Sequence, residues 1–348
     1  MKKAAVSGRL YEVFDVFADK ALAGNPLAIV HDCEGLTDAC MQAIAREFNL
    51  SETVFIHAPA NPAHEASVRI FTPAYELPFA GHPTVGAAVS LARRQKTGDE
   101  TDRLVTLEEK VGIVRCGVIL GENSAFAEFD LPRLPEQVDV KIEREEAAAA
   151  IGLGTHEIGF ENHVPGVWSA GTPCLLVPVH NLIAAAKVSI DPVYVSESLP
   201  HVGGRPLPIY VYCRETILFN SHFHARMFVI GANVYEDPAT GSAVAAFAGM
   251  IQQNDKPVDG SSQWWIEQGM EMGRPSRIRL ELDVSKHKTR QCPYRRHGRE
   301  NCRGQAFCLS KVWLRAFPAK VRSGFASDNA KKQRDRAVLA IPLKQKPL

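Results

Sequence analysis

Three side chains in this sequence have the types that proton chemistry needs: Glu52 at the mouth of an apolar run, His82 after Gly81, and Asp237 ahead of Pro-Ala-Thr-Gly-Ser. A carboxylate at the start of an apolar strand can lose enough solvent for its pKa to rise toward neutrality, where it is useful as an acid or a base. His82 and Asp237 can share protons with it, and backbone N–H groups at Gly81, Gly241 and Ser242 can hold a developing negative charge. Each residue has a blander reading when taken singly. A strand-end Glu is usually a solvated charge, and a lone His before a helix is more often a capping or structural hydrogen-bonding residue.

The case for a site therefore rests on the elements that would bring the three together. Asp237 and Pro238 read as the cap and first residue of a helix. From Thr240 to Met250 that helix is apolar almost all round, so it is expected inside its domain rather than on it. The same device occurs earlier: His82 to Val89 aligns without a gap on Asp237 to Val244. Upstream of each copy stands a matching piece, Gly24-Asn25-Pro26-Leu27-Ala28-Ile29-Val30 and Gly171-Thr172-Pro173-Cys174-Leu175-Leu176-Val177. Pro26 precedes Pro83 by 57 residues and Pro173 precedes Pro238 by 65. Two ordered matches at similar spacing predict a duplicated unit, with the two helix N-termini facing one cleft.

Further elements follow from periodicity. Tyr11 to Phe17 and Leu27 to Val30 read as strands, and Thr37 caps an amphipathic helix through Met41, Ile44, Ala45 and Phe48 that Asn49 ends. Leu50 to Ile56 then leads into a strand with Glu52 at its start, and Val68 to Phe71, Leu104 to Leu107, Val111 to Val118 and Ala125 to Asp130 read as more strands. Pro132 and Pro135 mark a boundary. The second half offers a helix from Arg144 to Ile151 and strands near 174–179, 208–213 and 224–229. Gln268, Gly269, Gly273, Arg274, Pro275 and Ser276 make a turn-rich loop, after which Ile278, Leu280, Leu282 and Val284 alternate with charged residues as a half-buried strand. The division expected is residues 1–133, 134–284 and a tail, 285–348.

Composition fits a soluble globular chain, 45% apolar and 23% charged over 348 residues. No run of apolar residues is long enough to span a membrane, and Lys2 and Lys3 lead into no apolar signal segment. The eight cysteines are then expected to stay reduced in a cytoplasmic protein. The net charge of +1 conceals a division: residues 285–348 carry 17 Lys and Arg against 3 Asp and Glu, leaving 23 against 36 in residues 1–284.

The motifs together resemble the PhzF-like family of phenazine biosynthesis, which has the diaminopimelate-epimerase fold. The residues that carry the likeness are Gly24-Asn25-Pro26, Asn49-Leu50-Ser51-Glu52-Thr53, Gly81-His82-Pro83-Thr84, Glu236-Asp237-Pro238-Ala239-Thr240-Gly241-Ser242, Gln268-Gly269 and Gly273-Arg274-Pro275-Ser276. The resemblance implies an α+β fold of two pseudo-symmetric domains, each a rolled, mostly antiparallel sheet around a central buried helix, and a homodimer. It also implies isomerase chemistry on a small carboxylate-bearing metabolite without metal or organic cofactor, Glu52 moving the proton. Substrate contacts are implied at Ser51, Gly81, His82, Asp237, Gly241 and Ser242. Epimerases of the same fold use a Cys in each half, and no Cys stands at the matching helix starts here, which disfavours two-base racemisation through thiols. The alternatives are an epimerase or racemase and a non-catalytic metabolite-binding or scaffold protein.

The likeness stops near Val284. Arg290 to Ala306, read back into codons and shifted by one nucleotide, can encode a strand, Gly-Gly, strand pattern of the kind the family has there. A frameshift between Ser285 and Thr289 is therefore expected to have replaced the native C-terminus. The competing reading is a genuine basic extension able to contact nucleic acid. Cys292, His297, Cys302 and Cys308 lack the close pairs of a structural zinc site.

Overall fold

A computed structural model describes residues 9–96, 101–121, 125–131, 133–231 and 234–285, with the strand pieces Lys288–Thr289 and Ala337–Leu339. Pro132, the zinc question at Cys292, His297, Cys302 and Cys308, and the nucleic-acid reading of the tail fall outside the described residues.

Two sheets account for most of the chain. The first runs in the order Ala337–Leu339, Arg9–Val16, Asn25–Val30, Glu52–His57, Ala66–Phe71, Asp102–Glu109, Gly112–Leu120, Ala125–Phe129. The second runs Lys288–Thr289, Ser276–Ser285, Gly260–Gln268, Phe223–Ile230, Ile209–Cys213, Pro173–Pro178, Gly166–Ser169, Glu136–Gln137. Both are antiparallel except at two matching places. Asn25–Val30 pairs in parallel with Glu52–His57 as Pro173–Pro178 does with Ile209–Cys213. Ala66–Phe71 pairs in parallel with Asp102–Glu109 as Phe223–Ile230 does with Gly260–Gln268. Shared topology of this detail bears out the duplication.

Each sheet curls around one helix, Gly81–Arg94 in the N-terminal lobe and Gly241–Asp255 in the C-terminal lobe. The absence of a polar stripe dictates this: residues 81–92 of the first helix and all but Ser242 of residues 241–251 in the second are buried. The inner faces of both sheets and both helices join in one continuous apolar core. The helix Asp38–Phe48 lies outside the first sheet with Met41, Ile44 and Ala45 turned inward. The Thr37 hydroxyl accepts from the Cys40 N–H at 3.2 Å, and Asn49 closes the helix in the left-handed region. No helix among the described residues is long and apolar enough to cross a membrane.

One expected boundary is corrected. The second central helix begins at Gly241 with Thr240 at its N-cap, so Asp237 and Pro238 precede it. Asp237 instead ends the short strand Val234–Asp237, opposite Met227, and its carboxylate is committed to side chains of other elements rather than to helix N–H groups. Sequence periodicity also passes over the strand Gly260–Gln268, whose first half, Gly-Ser-Ser-Gln, lacks an apolar alternation.

The lobes are fastened together by the loop after Gly269. Arg274 donates to the carbonyls of Gly24 and Ala23 at 2.8 and 2.9 Å and to the buried carboxylate of Asp15 at 2.6 Å. Gly24 can make this turn because it lacks a side chain: at φ +67° a Cβ would meet the Val16 carbonyl oxygen at 2.2 Å.

Candidate active site

Glu52 begins its strand opposite Leu27, and its side chain is 14% exposed. His82 sits in the first turn of the N-terminal central helix, buried. The two side chains meet with Glu52 Oε2 3.3 Å from His82 Nε2. Neither atom has a properly formed hydrogen bond among the described residues, although both are buried. Orphaned buried polar atoms are costly, and a pair of them beside a cavity is how an enzyme keeps donors and acceptors free for a reacting molecule.

Asp237 comes from the other lobe and is held mainly by the first. Its Oδ1 accepts from Asn25 Nδ2 at 2.9 Å and from the Ser51 hydroxyl at 2.8 Å, while Oδ2 accepts from the Thr240 hydroxyl at 2.5 Å. Gln268 completes the frame: its Nε2 donates to the Asp237 carbonyl at 2.7 Å and its Oε1 accepts from the Thr240 N–H at 3.2 Å. The site is therefore assembled only when the lobes are docked.

Electrostatics separate the three groups. Burial pushes the Glu52 carboxyl well above the ordinary range, and the charge of Asp237 pushes it further. Burial also raises Asp237, opposed by the hydrogen bonds from Thr240, Ser51 and Asn25. His82, stripped of solvent, is held down to about 3 and is neutral. Burial thus disfavours the ionised form of both carboxyls, and the charge of Asp237 disfavours that of Glu52 further, so the two ionisations are linked.

A cavity of about 510 Å³ is shared by the lobes, with Ser51 and Tyr75 on one side and Gly231 and Tyr235 on the other, and it adjoins the pair through Ser51, which is bonded to Asp237. At the helix ends, the first ladder bonds are Thr84 N–H to Ala80 O and Val244 N–H to Thr240 O. The N–H groups of Gly81, Gly241 and Ser242 thus precede the ladders, where an anionic group is favoured. A group able to hold a cation lies elsewhere: Glu161, His163 and Asp255 converge, but the Arg214 guanidinium already bridges Glu161 and Asp255 and supplies the positive charge.

The structure thus brings Glu52 to His82 and ties Ser51 to Asp237. Asn25, Thr240 and Gln268 acquire positioning roles that their sequence motifs alone did not assign. The phenazine biosynthesis-like protein family matches residues 14–305. The chain belongs to that family. An uncharacterized isomerase of Mesorhizobium japonicum is 56% identical over 277 residues, covering 79% of this chain and 91% of the relative. The trans-2,3-dihydro-3-hydroxyanthranilate isomerase of Pseudomonas aeruginosa is 33% identical over 270 residues, 77% of this chain and 88% of that one. Among solved structures, a PhzF-family phenazine biosynthesis protein of Bacillus anthracis superposes with a TM-score of 0.72 at 26% identity, covering 90% of this chain and 97% of its own. As a member of this phenazine biosynthesis-like family, the chain is an isomerase.

Proposed function

We propose that the chain relocates a proton on a small unsaturated carboxylic acid, with Glu52 acting first as base and then as acid. The ionised carboxyl takes a proton from a carbon conjugated with the acid's unsaturated system. The electron pair left behind spreads into that system and toward the helix N-termini at Gly81 and Gly241. Glu52 then returns the proton to a second carbon of the same system, so that nothing is gained or lost overall. His82, neutral and 3.3 Å from Glu52, orients the carboxyl. Asp237 keeps the shared proton available and holds Ser51 toward the cavity. The activity of the Pseudomonas aeruginosa relative, on a cyclic unsaturated acid, supports this substrate class.

The observation that carries the reading is the pair of buried, unpartnered atoms, Glu52 Oε2 and His82 Nε2, one residue along from Ser51, which lines the cavity. The duplication argues for a single base. Pro26 aligns with Pro173, and the pairs Ala28 with Thr53 and Leu175 with Ile209 then make Pro208 the counterpart of Glu52. A two-base racemisation has no second carboxylate at that place. Glu52→Gln is expected to lower turnover of a cyclic dihydro acid by roughly 10²–10⁴-fold, the usual worth of a general acid–base group, with an unchanged melting temperature. NMR in deuterated water should show deuterium at the receiving carbon alone, to the extent that the proton held by Glu52 exchanges with solvent before it is returned. A Glu52→Gln protein of undiminished activity would remove the assignment.

A further inference from the structure

The cavity of about 510 Å³ that adjoins the Glu52 and Asp237 pair at Ser51 is lined by eleven residues, and none of them is charged. Its size falls within the range of about 300–1,000 Å³ that takes ligands larger than a few carbons. A charged group moved into such a lining loses water and gains no partner, which is costly. The anionic end of the substrate therefore belongs at the helix N-termini, and what enters the cavity is uncharged.

Tyr235 stands where this cavity meets the reacting centre. It lies on the short strand Val234–Asp237, along which successive side chains point to opposite faces. Val234 packs into the outer apolar cluster with Phe228 and Ile230, and Glu236 accepts from two nitrogens of Arg226, each at 2.9 Å. Tyr235 and Asp237 therefore share the other face, toward the cleft. Val229, paired with Tyr235 on the neighbouring strand, is also part of the cavity wall. Burial pushes the Tyr235 phenol above its ordinary range, and Glu52, Asp237 and Tyr75 push it further, so it keeps its proton and can donate.

Tyr75 stands on the N-terminal lobe's side of the same cavity. It closes the turn Thr72-Pro73-Ala74-Tyr75, in which the Thr72 N–H donates to the Tyr75 carbonyl at 2.8 Å and the Thr72 hydroxyl accepts from the N–H groups of Ala74 and Tyr75 at 3.1 and 3.0 Å. In the lining, the Ser51 hydroxyl is committed to Asp237 and the Thr72 hydroxyl to this turn, whereas the phenols of Tyr75 and Tyr235 make no hydrogen bond among the described residues. Both tyrosines are large and partly open, at 38% and 42% exposed. A ring with apolar surface and a free donor suits an uncharged partner that offers both.

Resting on the proton-shift reading above, we propose that Tyr235 is a specificity-determining residue, which together with Tyr75 selects an acid whose uncharged, ring-sized body extends from the reacting carbons into the cavity between the lobes. The carboxylate and the carbons on which Glu52 acts stay at the helix N-termini. The body beyond them is buried against Leu50, Pro73, Val229 and Ile230 and accepts from a phenol where it carries a polar atom. A smaller acid leaves this space to water.

Calorimetric titration of the full chain with benzoate, with meta- and para-phenylbenzoate, and with the biphenyl diacid that carries a second carboxylate on its outer ring tests this without requiring turnover. The better phenylbenzoate is expected to bind about tenfold tighter than benzoate or more, the worth of burying one apolar ring. The diacid should bind no tighter than benzoate. Tyr235→Val and Tyr75→Val, made in different lobes, should each lower the ratio of phenylbenzoate to benzoate affinity by about threefold or more. A partial loss of folded protein does not move that ratio, because it appears in the fitted stoichiometry. An unchanged ratio in either variant, a diacid that binds as tightly as the monoacid, or phenylbenzoates that bind no tighter than benzoate, including no binding of any of them, would overturn the proposal. Glu52→Gln separates the two readings: if it stays fully active while Tyr235→Val still lowers the ratio, the Glu52 assignment fails and the Tyr235 assignment stands.

Discussion

At the scale of single residues, the proposed proton shift depends on two buried carboxyls whose ionisations are linked. Glu52 is raised first by burial and then by the charge of Asp237, and Asp237 is raised by burial against three hydrogen bonds that favour its ionised form. The productive form has one carboxyl ionised. Lowering the pH protonates both, and raising it ionises both, so kcat/KM is expected to follow a bell whose acidic limb lies above the ordinary carboxylate range. Asp237→Asn removes the neighbouring charge and leaves the burial. The first ionisation of the pair lies no higher than that of Glu52 beside a neutral neighbour, so the acidic limb should stay or move to higher pH while the alkaline limb that arises from double ionisation disappears. A pH–rate profile of this variant that kept both limbs in place would show that Asp237 does not share the proton. His82 adds no limb in the neutral range, since solvent exclusion holds it at about 3.

At the scale of elements, the duplication gives each central helix a partner at the end of a neighbouring strand. In the C-terminal lobe, Gln268 ends its strand bonded to Thr240. In the N-terminal lobe, Glu109 ends the matching strand and touches Thr84 at 2.7 Å. The Thr84 hydroxyl also lies 2.8 Å from the Ala80 carbonyl, and it has a single hydrogen to give. Both contacts are satisfied together when Glu109 carries a proton. Burial agrees, pushing the Glu109 carboxyl up to about 8 against the hydrogen bond from Thr84. The sign for stability follows. The folded pKa lies above the unfolded one, so the folded state binds the extra proton, and stability falls as pH rises from about 4.5 to about 8. Glu109→Gln copies the other lobe, keeps a donor for Thr84 and removes the titration. Thermal unfolding at pH 8.5 (about one half-unit above the folded pKa) should show the variant more stable by on the order of a few kcal/mol, with little difference near pH 4. A variant less stable than the parent at both pH values would refute the protonated assignment.

At the scale of the whole molecule, two groups of side-chain contacts tie the lobes together beside the apolar core they share. Asp237 closes the cleft from inside, and Arg274 fastens it from outside through Asp15, Ala23 and Gly24. Asp15 is fully buried and Arg274 is 21% exposed, so removing one partner strands a buried charge. Arg274→Ala is expected to cost about 3–5 kcal/mol in chemical denaturation and to lower activity more steeply than stability as denaturant is added, because the site is built across the joint. A change below about 1 kcal/mol would reduce the clamp to a surface contact.

The same scale shows an asymmetry between the lobes. Gly112–Leu120 pairs with Ala125–Phe129 over five positions, whereas its counterpart Ser276–Ser285 pairs beyond Gly260–Gln268 only with Lys288–Thr289, over two positions, among the described residues. A cavity of about 420 Å³ lies there, with Trp168, Gly249 and Val284 in its walls. An edge paired over so few positions among the described residues, beside a hollow, is a liability that a further strand would remove. A protein made from the gene with the reading frame shifted back near residue 285 should melt higher, by roughly 2–4 °C for each kcal/mol regained. An unchanged melting temperature would leave the edge unexplained by a lost strand.

Sequence alone determined a good deal, because some physical signals are local. The all-round apolar helices had to be buried, the Thr37 and Asn49 ends of the outer helix followed from side-chain and backbone preference, and the alternation from Ile278 to Val284 fixed which face of that strand is inward. The repeated Gly-x-Pro and x-Pro pieces made the two-lobed plan legible before any coordinates. Tertiary structure decided what depends on contacts between distant residues. Asp237 reads locally as a helix cap, and only Asn25 and Ser51, 212 and 186 positions away, draw its carboxylate into the cleft. Glu52 reads locally as a solvated strand end, and only the packing of both lobes over it removes the water that would keep its pKa ordinary. Burial and long-range charge are properties of the assembled molecule, and they set the chemistry here.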